Sequence, residues 1–383
     1  MLRRRAFLVR RGASFHPLSA VTRSAPHIRD GINLRRVMTY VMLALIPCVL
    51  MALYNTGYQA NTAMATLGIE AAPGWRGAVL GALRIGYDPS SIWASMWHGL
   101  FYVLPLYVVT VMVGNLWQTI FAAWRQREIT EGFMVTALLF TLSLPPTVPL
   151  WQAALGISFG VVIGQEIFGG IGHNFLNPAL AGRAFLYITY PSEMAGDAIW
   201  TAVDGFTGAT GLSLADTGGM DAIAQQSITW LESFLGRVPG SLGETSTLAS
   251  LLGAVFLLYT RIVSWRIMAG VLLGMIATVL FFNWVGSSAN PMVGMPWYWH
   301  LTLGSFAFGT VFLATDPVSA ATTDTGRWVY GFLIGFMVVL IRVASFAHPE
   351  GVMFAILLGN IFAPLIDHFV MRANIRRRAQ RSV

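Results

Sequence analysis

The sequence predicts an all-α integral membrane protein with about ten transmembrane helices, arranged as two inverted five-helix repeats. Hydrophobic residues occupy 55% of the 383 positions and charged residues only 11%, whereas soluble domains carry about 25% charged residues. The mean hydropathy is +0.63. Uncharged apolar runs recur, and each is long enough to cross roughly 30 Å of hydrocarbon. These observations exclude an ordinary soluble domain.

The apolar runs predict ten spans. They cover 37–55, 97–122, 132–148, 150–169, 178–191, 247–263, 266–285, 299–315, 328–346 and 351–370. The fifth run is short for a straight crossing, which predicts a broken or tilted element. The predicted domains are an arginine-rich segment 1–36, a first repeat 37–191, a loop 192–246, a second repeat 247–370 and an arginine-rich tail 371–383.

The basic residues predict the orientation. All 24 are arginine, with nine in the first 36 positions and five after residue 371. Basic clusters beside apolar helices stay on the cytoplasmic side. We therefore expect a multi-pass protein of a bacterial inner membrane, with both termini cytoplasmic and an even number of spans. This distribution explains the net charge of +7 without nucleic-acid binding.

Two pairs of similar strings suggest the repeat. Residues 174–180 open the fifth span and resemble 360–367 in the tenth, while 142–147 end the third span and resemble 313–317 at the end of the eighth. Inverted repeats with interrupted helices place a binding site near the middle of the membrane. Chance similarity between proline-containing apolar helices explains the same strings equally well.

Several ionisable residues lie within or beside the predicted spans. They are Glu131, Glu166, Arg183, Asp316, Arg342 and Asp367. Each costs about 2.5–3.5 kcal/mol in hydrocarbon, so each should face a cavity or a partner. Arginine–carboxylate pairs are one explanation, and an ion path that includes Asp316 and Asp367, the latter with Asn360, is the other. Cys48 is the only cysteine and no histidines have paired spacing, so no metal site is predicted.

Segment 192–246 is the long acidic loop of the chain. It carries seven carboxylates against Arg237 alone, a net charge of −6, and a connection of this length is usually functional. Residues 228–235 predict an amphipathic helix at the membrane surface. Residues 204–211 read Asp-Gly-Phe-Thr-Gly-Ala-Thr-Gly, which composition alone describes as a turn. A hydroxyl among small residues can also accept a phosphoryl-containing group from a separate enzyme.

This string resembles the Asp-Gly-x-(Ser/Thr)-Gly-Ala-Thr motif, in which flavin transferases join the phosphate of FMN to the last threonine. The wider chain is similar to the NqrB/RnfD family, whose members are membrane subunits of the sodium-translocating NADH:quinone oxidoreductases and of the Rnf complex. The strings that carry this resemblance, from about residue 22 onward, include Ser24-Ala-Pro-His-Ile-Arg-Asp30, Glu131-Gly-Phe-Met-Val-Thr136, Phe175-Leu-Asn177-Pro178, Pro239-Gly-Ser-Leu-Gly-Glu244 and Ala314-Thr-Asp316-Pro317.

The resemblance implies a membrane subunit at the quinone end of a six-subunit redox pump. The subunit would work with five partners after maturation by a flavin transferase, and would not oxidise NADH alone. Its electrons would pass through covalent FMN and non-covalent riboflavin to ubiquinone, coupled to export of Na⁺ or H⁺. An Rnf-type subunit of a ferredoxin:NAD oxidoreductase and a non-redox secondary transporter are the alternatives.

The resemblance also implies roles for individual residues. Thr210 would hold FMN, within a recognition motif that includes Asp204, Gly205, Thr207, Gly208 and Ala209. Thr136, Asn174 and Asn177 are candidates for the riboflavin pocket. The candidates for the quinone region are Phe159, Gly114 and Asn115.

One departure from the family concerns the coupling ion. Many relatives carry Gly-Gly-Phe-Trp-Glu late in the second span, but this chain reads Gly114-Asn-Leu-Trp-Gln118. Gln118, a candidate for the ion path, therefore replaces an acidic group with an amide. An amide carbonyl can bind Na⁺ but adds no charge to offset dehydration of the ion. We therefore expect transport that is not strictly sodium-dependent.

Overall fold

The computed structural model describes residues 34–126, 132–197, 199–203, 206–286, 290–344 and 350–381, and every regular element within these ranges is helical. The α-helices are α1 (Leu34–Leu67), α2 (Gly74–Ala82), α3 (Ile92–Arg125), α4 (Phe133–Ser143), α5 (Leu150–Val161), α6 (Pro178–Thr189), α7 (Pro191–Met194), α8 (Gly211–Gln225), α9 (Trp230–Leu235), α10 (Thr247–Tyr259), α11 (Trp265–Val285), α12 (Trp297–Thr302), α13 (Phe306–Phe308), α14 (Asp324–Ala344) and α15 (Val352–Arg381). The π-helical segments are Val162–Glu166 and Gly309–Leu313, and a 3₁₀ turn covers Pro291–Gly294.

Within the described ranges, five helices are long and apolar enough to cross a membrane: α1, α3, α11, α14 and α15. Helices α4 and α10 are apolar but shorter. The prediction of an all-helical membrane protein is confirmed. Each of the ten predicted runs overlaps helical structure, but the count of ten spans and the inverted repeats remain predictions.

Helix lengths differ from the predicted spans at both ends of the chain. Helix α1 continues well past the predicted end at residue 55, and its 34 residues rise about 50 Å at ~1.5 Å per residue. Helix α15 likewise continues through the predicted tail as far as Arg381. Cationic side chains near a helix C-terminus interact favourably with the helix dipole, so the arginine cluster extends the helix.

Small residues allow close packing of the long helices. A Cβ atom on Gly57 of α1 would collide with the Ser95 carbonyl of α3, and one on Gly335 of α14 would collide with the Val271 carbonyl of α11. Membrane helices associate largely through such close contacts, because lipid offers no hydrophobic driving force between them. The two pairs α1–α3 and α11–α14 accordingly form extensive interfaces.

Two predicted spans are broken. Helix α5 passes into the first π-helical segment, and α6 begins separately at Pro178, where proline suits the first helical position. The predicted span 299–315 is divided into α12, α13 and the second π-helical segment. Breaks of this kind are tolerated at membrane depth where the freed backbone groups face protein or a cavity.

The acidic loop is largely helical and contains α7, α8 and α9. Gly219 adopts φ 65° and kinks α8. The predicted helix at 228–235 corresponds to α9, which begins with a capping box between Thr229 and Glu232. Ser233 of α9 donates a hydrogen bond to the Thr302 carbonyl, 3.3 Å away, so the loop is joined to the helical core.

Candidate functional site

Thr210 lies immediately before the first turn of α8. Its backbone is extended and its Oγ1 accepts a hydrogen bond from the Ser213 amide at 3.2 Å, so it is the N-cap of the helix. The Thr210 side chain is half-buried, whereas that of Thr207 is exposed. The Gly208 amide donates to the Asp197 carbonyl at 2.8 Å. Ala209 is half-buried, and Asp204 and Gly205 lie outside the described residues.

The segment before Thr210 is anchored on the extended end of α1 and on α3. Phe206 packs against a small hydrophobic cluster that includes Ala60 and Met64. The Tyr102 hydroxyl donates a hydrogen bond to the Ala202 carbonyl, 3.0 Å away. These contacts hold the backbone on both sides of the motif and thereby direct Thr210 towards the helical core.

Thr210 lines a cavity of about 400 Å³, open mouth included, which we call the Thr210 cavity. Its other walls are residues 238–245, residues 302–305 and Glu350. The amide groups of the first turn of α8 are at the same point, and a helix N-terminus favours negative charge. A hydroxyl at a helix N-terminus beside a cavity suits a covalently attached phosphate ester.

A buried ion cluster forms one wall of this cavity. Arg183 of α6 donates from Nη1 to both Glu244 carboxylate oxygens at 2.8 and 2.9 Å, and from Nη2 to Glu350 at 2.9 Å. Nη2 also donates to the Ser241 hydroxyl at 3.2 Å. The side chains of Arg183 and Glu244 are only 2% and 3% exposed. The expected arginine–carboxylate pair is therefore confirmed, and it ties α6 to the segments before α10 and α15.

Arg342 is also fully buried but has a different environment. Nη1 donates to the His300 carbonyl and Nη2 to the Leu303 carbonyl, both at 2.9 Å. No carboxylate forms an ion pair with it among the described residues. Arg342 therefore satisfies the carbonyl groups exposed where α12 ends, beside the Thr210 cavity, and the pairing predicted as one explanation for this residue is wrong.

A second cavity brings together all three predicted riboflavin residues. Thr136, Asn174 and Asn177 line it together with Asp316, in a space of about 640 Å³ that includes its open mouth. We call it the Asn177 cavity. These residues come from α4, the loop before α6, and the segment after the second π-helical stretch, so only the tertiary structure makes them neighbours.

Both asparagines in this cavity also have structural roles. The Asn177 Oδ1 atom caps α6 by accepting from the Ala179 and Leu180 amides, and its Nδ2 lies 3.5 Å from Asp316 Oδ2. Asn174 bonds to the Gly172 amide and the Leu176 carbonyl. An amide offers two donor hydrogens and two acceptor lone pairs, so each side chain retains bonding capacity for a ligand. The Thr136 hydroxyl has no protein partner among the described residues.

The two cavities lie at opposite ends of α4. Thr136 lies near its start, while the Leu142 and Leu144 carbonyls at its end accept from the Gly243 and Leu242 amides, next to Glu244 of the Thr210 cavity. The 11 residues of α4 rise about 15 Å from first to last at ~1.5 Å per residue. The cavities are therefore separated by a distance of that order.

The predicted quinone residues lie away from both cavities. Phe159 stacks on Phe185 with ring centroids 4.5 Å apart, and Gly114 faces the Phe133 ring so closely that a Cβ would collide with it. The Asn115 amide donates to the Val111 carbonyl of its own helix at 2.9 Å. The structure does not gather these residues into one site.

The candidates for the ion path are also separate. Gln118 is buried, and its amide oxygen and nitrogen have no partner among the described residues. Asp316 accepts from the Val318 amide and the Ser319 hydroxyl.

Asp367 and its predicted companion Asn360 do not contact each other through hydrogen bonds. Asp367 accepts from the amides and hydroxyls of Thr322 and Thr323, while Asn360 accepts from the Tyr330 hydroxyl at 2.7 Å. Glu166 pairs with Arg125, and Glu131 is outside the described ranges. No group of three potential metal ligands occurs in the described part of the chain.

Sequence reasoning missed Glu350, because it lies far along the chain from Arg183. The only available signal was that a buried arginine requires carboxylate partners, and this requirement does not identify them.

Comparison with known proteins identifies relatives over nearly the whole chain. A membrane-complex subunit named for the Na(+)-translocating NADH-quinone reductase of Pseudomonas aeruginosa strain LESB58 is 58% identical over 95% of this chain and 90% of its own length. The proteins of the same name from Ectopseudomonas mendocina and Chromohalobacter salexigens are 56% and 58% identical over 96% of this chain, and 92% and 89% of their own lengths. A family model described as the NQR2, RnfD, RnfE family matches residues 21–376. The chain belongs to this family.

Proposed function

We propose that this chain is the membrane subunit at the quinone end of an ion-translocating NADH:quinone oxidoreductase, which carries electrons through covalent FMN and riboflavin to ubiquinone. Its relatives are named as subunits of such a reductase over nearly their full lengths. Their names favour this function over that of an Rnf-type subunit. Family membership likewise argues against a non-redox transporter.

The observation that carries the proposal is the position of Thr210. The flavin motif ends at the N-cap of α8, and its last hydroxyl lines a cavity. Thr210 would hold the phosphate of FMN, with the amides at the start of α8 favouring its negative charge. The exposed Thr207 occupies no comparable position.

The Asn177 cavity would hold riboflavin. Thr136, Asn174 and Asn177 can donate to and accept from the polar edge of its ring, and apolar residues such as Val135, Leu139 and Phe312 would exclude water from the rest. The bound flavins would supply the redox chemistry, while the protein orients them and sets their electrostatic surroundings. A separation of about 15 Å, estimated from the helical rise of α4, brings the two flavin positions near each other.

The topology supports two inverted repeats of five spans. Helices α5 and α6 pack together as α14 and α15 do, and α3 packs on α5 as α11 does on α14. We propose that both arginine-rich termini lie in the cytoplasm of a bacterial cell, with the chain in the inner membrane and Thr210 on the opposite side. Five other subunits would complete the complex, and a flavin transferase would attach FMN.

Mass spectrometry of the peptide that contains Thr210 tests the proposal. We expect the mass of an FMN phosphoester on Thr210, and a fluorescent band for the denatured chain. Thr210→Val should abolish both signals, because it removes the acceptor oxygen while preserving side-chain shape. The matched control Thr207→Val should retain them. An unmodified Thr210 peptide from the purified complex would refute the site.

The coupling ion is tested separately, because Gln118 replaces an acidic residue expected in relatives. We propose that ion export is not strictly sodium-dependent. Reconstituted complex should retain quinone reduction without Na⁺, and a protonophore should collapse the potential that it generates. Activity that stops without Na⁺ and resists the protonophore would contradict this proposal. The matched variant Gln118→Glu should increase the dependence on Na⁺.

A further inference from the structure

A groove on the side of the protein is separate from both cavities. It runs between α1, α10 and the turn that follows α9, and its space is about 940 Å³ including the open side. We call it the lateral groove, and define it by Pro47, Leu50, Tyr54, Arg237, Leu248 and Leu252. A smaller hollow lined by Tyr58 and Ser90 adjoins it and shares Tyr54 and Arg237.

The body of the lateral groove is apolar and faces outward. Leu50 is 50% exposed, Leu248 is 38% exposed and Leu252 is 55% exposed. From Pro47 to Tyr58, α1 rises about 16 Å at ~1.5 Å per residue. This length matches one leaflet of a hydrocarbon core that is roughly 30 Å thick. The groove is therefore long enough to take one acyl chain along its whole length.

The polar mouth of the groove contains Arg237. This residue is exposed, and its guanidinium has no hydrogen bond or ion pair among the described residues. Gly236 adopts φ 92°, and a Cβ there would lie 2.7 Å from the Ser246 Cα. The turn therefore presses against the start of α10 and fixes the position of the next residue, Arg237, at the mouth.

Two tyrosines accompany this arginine. The rings of Tyr54 and Tyr58 stack with centroids 5.7 Å apart, and neither hydroxyl has a hydrogen-bond partner among the described residues. Tyrosine is enriched at the level of lipid headgroups, because its ring is apolar and its hydroxyl polar. A guanidinium with two hydroxyl donors is well suited to bind a phosphate.

We propose that the lateral groove binds one anionic phospholipid, with its phosphate on Arg237 and the tyrosine hydroxyls and one acyl chain along α1 and α10. The charge pattern supports this occupant. Arg237 is the only basic residue in segment 192–246, whose net charge is −6. The acidic segment repels anionic headgroups elsewhere, so Arg237 determines where one can bind.

Photo-crosslinking of the full chain in its isolated complex tests the proposal. The probe is phosphatidylglycerol with a diazirine in its acyl chain, compared with phosphatidylcholine that carries the same group. We expect crosslinks from phosphatidylglycerol on residues 47–54 and 248–252, and weaker labelling by phosphatidylcholine. Arg237→Gln should reduce the labelling about tenfold, which corresponds to loss of one charge-assisted contact.

Matched variants separate the groove from general lipid exposure. Leu252→Trp should reduce labelling by filling the groove, whereas Leu273→Trp on α11, at a similarly exposed position, should leave it unchanged. Arg84→Gln removes another exposed arginine and should also have no effect.

Several results would overturn the proposal. Equal labelling by both lipids would remove the role of charge, and this comparison requires no variant. Loss of labelling on addition of inorganic phosphate would indicate a free-phosphate site. Crosslinks from groove residues to a partner protein would identify a protein interface instead.

Discussion

The two cavities at the ends of α4 differ in how their polar groups are satisfied. The Thr210 cavity is walled by Glu244 and Glu350, which are held by buried Arg183. The Asn177 cavity has neutral amide and hydroxyl groups with one carboxylate, Asp316. Ion pairs are costly to bury and more costly to break, whereas amides retain spare donors and acceptors. The first cavity therefore has a rigid charged wall, and the second is better suited to reversible binding of a ligand.

The two buried arginines show the same contrast on a smaller scale. Arg183 bonds to carboxylates on two separate segments, whereas Arg342 bonds to carbonyl groups around one helix end. The first arginine crosslinks distant parts of the chain, while the second caps a local break. Burial alone does not distinguish these roles, and the partners do.

The largest expected effect comes from removing the charge that holds the wall of the Thr210 cavity. Arg183→Met should leave Glu244 and Glu350 without a buried partner, and loss of one partner of a buried pair costs about 3–5 kcal/mol. Thermal unfolding of the purified complex should show a large decrease in melting temperature. Arg183→Met combined with Glu244→Gln should recover part of it. An unchanged melting temperature in the single variant would show that the cluster does not hold the wall.

A smaller effect is expected at the Asn177 cavity. Asn177→Ala removes the N-cap of α6, which costs about 0.5–2 kcal/mol, and also removes a candidate contact to riboflavin. We expect the ratio of non-covalent to covalent flavin to fall in the purified complex. Asn177→Asp retains the cap but places a second carboxylate beside Asp316, so flavin should be lost with less loss of stability. Normal non-covalent flavin in both variants would assign Asn177 a structural role only.

The smallest effect is expected at α9, which contacts Thr302 in the wall of the Thr210 cavity. The Thr229 amide and hydroxyl donate to Glu232 and hold the pKa of its carboxyl below the usual value. This contribution is complete above the ordinary pKa of Glu232 and is lost as the pH falls through its lowered pKa.

Hydrogen exchange of α9 measures this effect. Thr229→Ala should speed exchange at neutral pH, and the difference from the unmodified chain should shrink in acid. Thr217→Ala, an exposed change on α8, is the control. A difference that persists unchanged in acid would show that the carboxylate has no part in the cap. Exposure of Glu232 keeps the effect small.

Much of the fold was predictable, because lipid imposes strong local requirements. Apolar runs must be helical to satisfy their backbone groups, and all ten predicted runs overlap helices. Helix ends were less predictable. Helix α1 extends beyond its apolar run where Gly57 packs against α3, and this contact is not visible in the run itself.

The sites divide in the same way. The motif around Thr210 and the asparagines before α6 were recognisable as strings. Their cavities required residues distant in the chain, such as Glu350 beside Thr210 and Asp316 beside Asn177. The quinone residues and Asp367 were predicted but lie apart from these cavities, because their partners are other aromatic rings or local threonines.

The sequence by itself determined the class of the protein, its apolar helices and the threonine at the end of the flavin motif, because composition and local motifs encode these features directly. The tertiary structure alone decided which carboxylates neutralise Arg183, which side chains surround Asn177, and where Arg237 meets an apolar groove. Each of these depends on segments far apart in the chain that become neighbours only when helices pack.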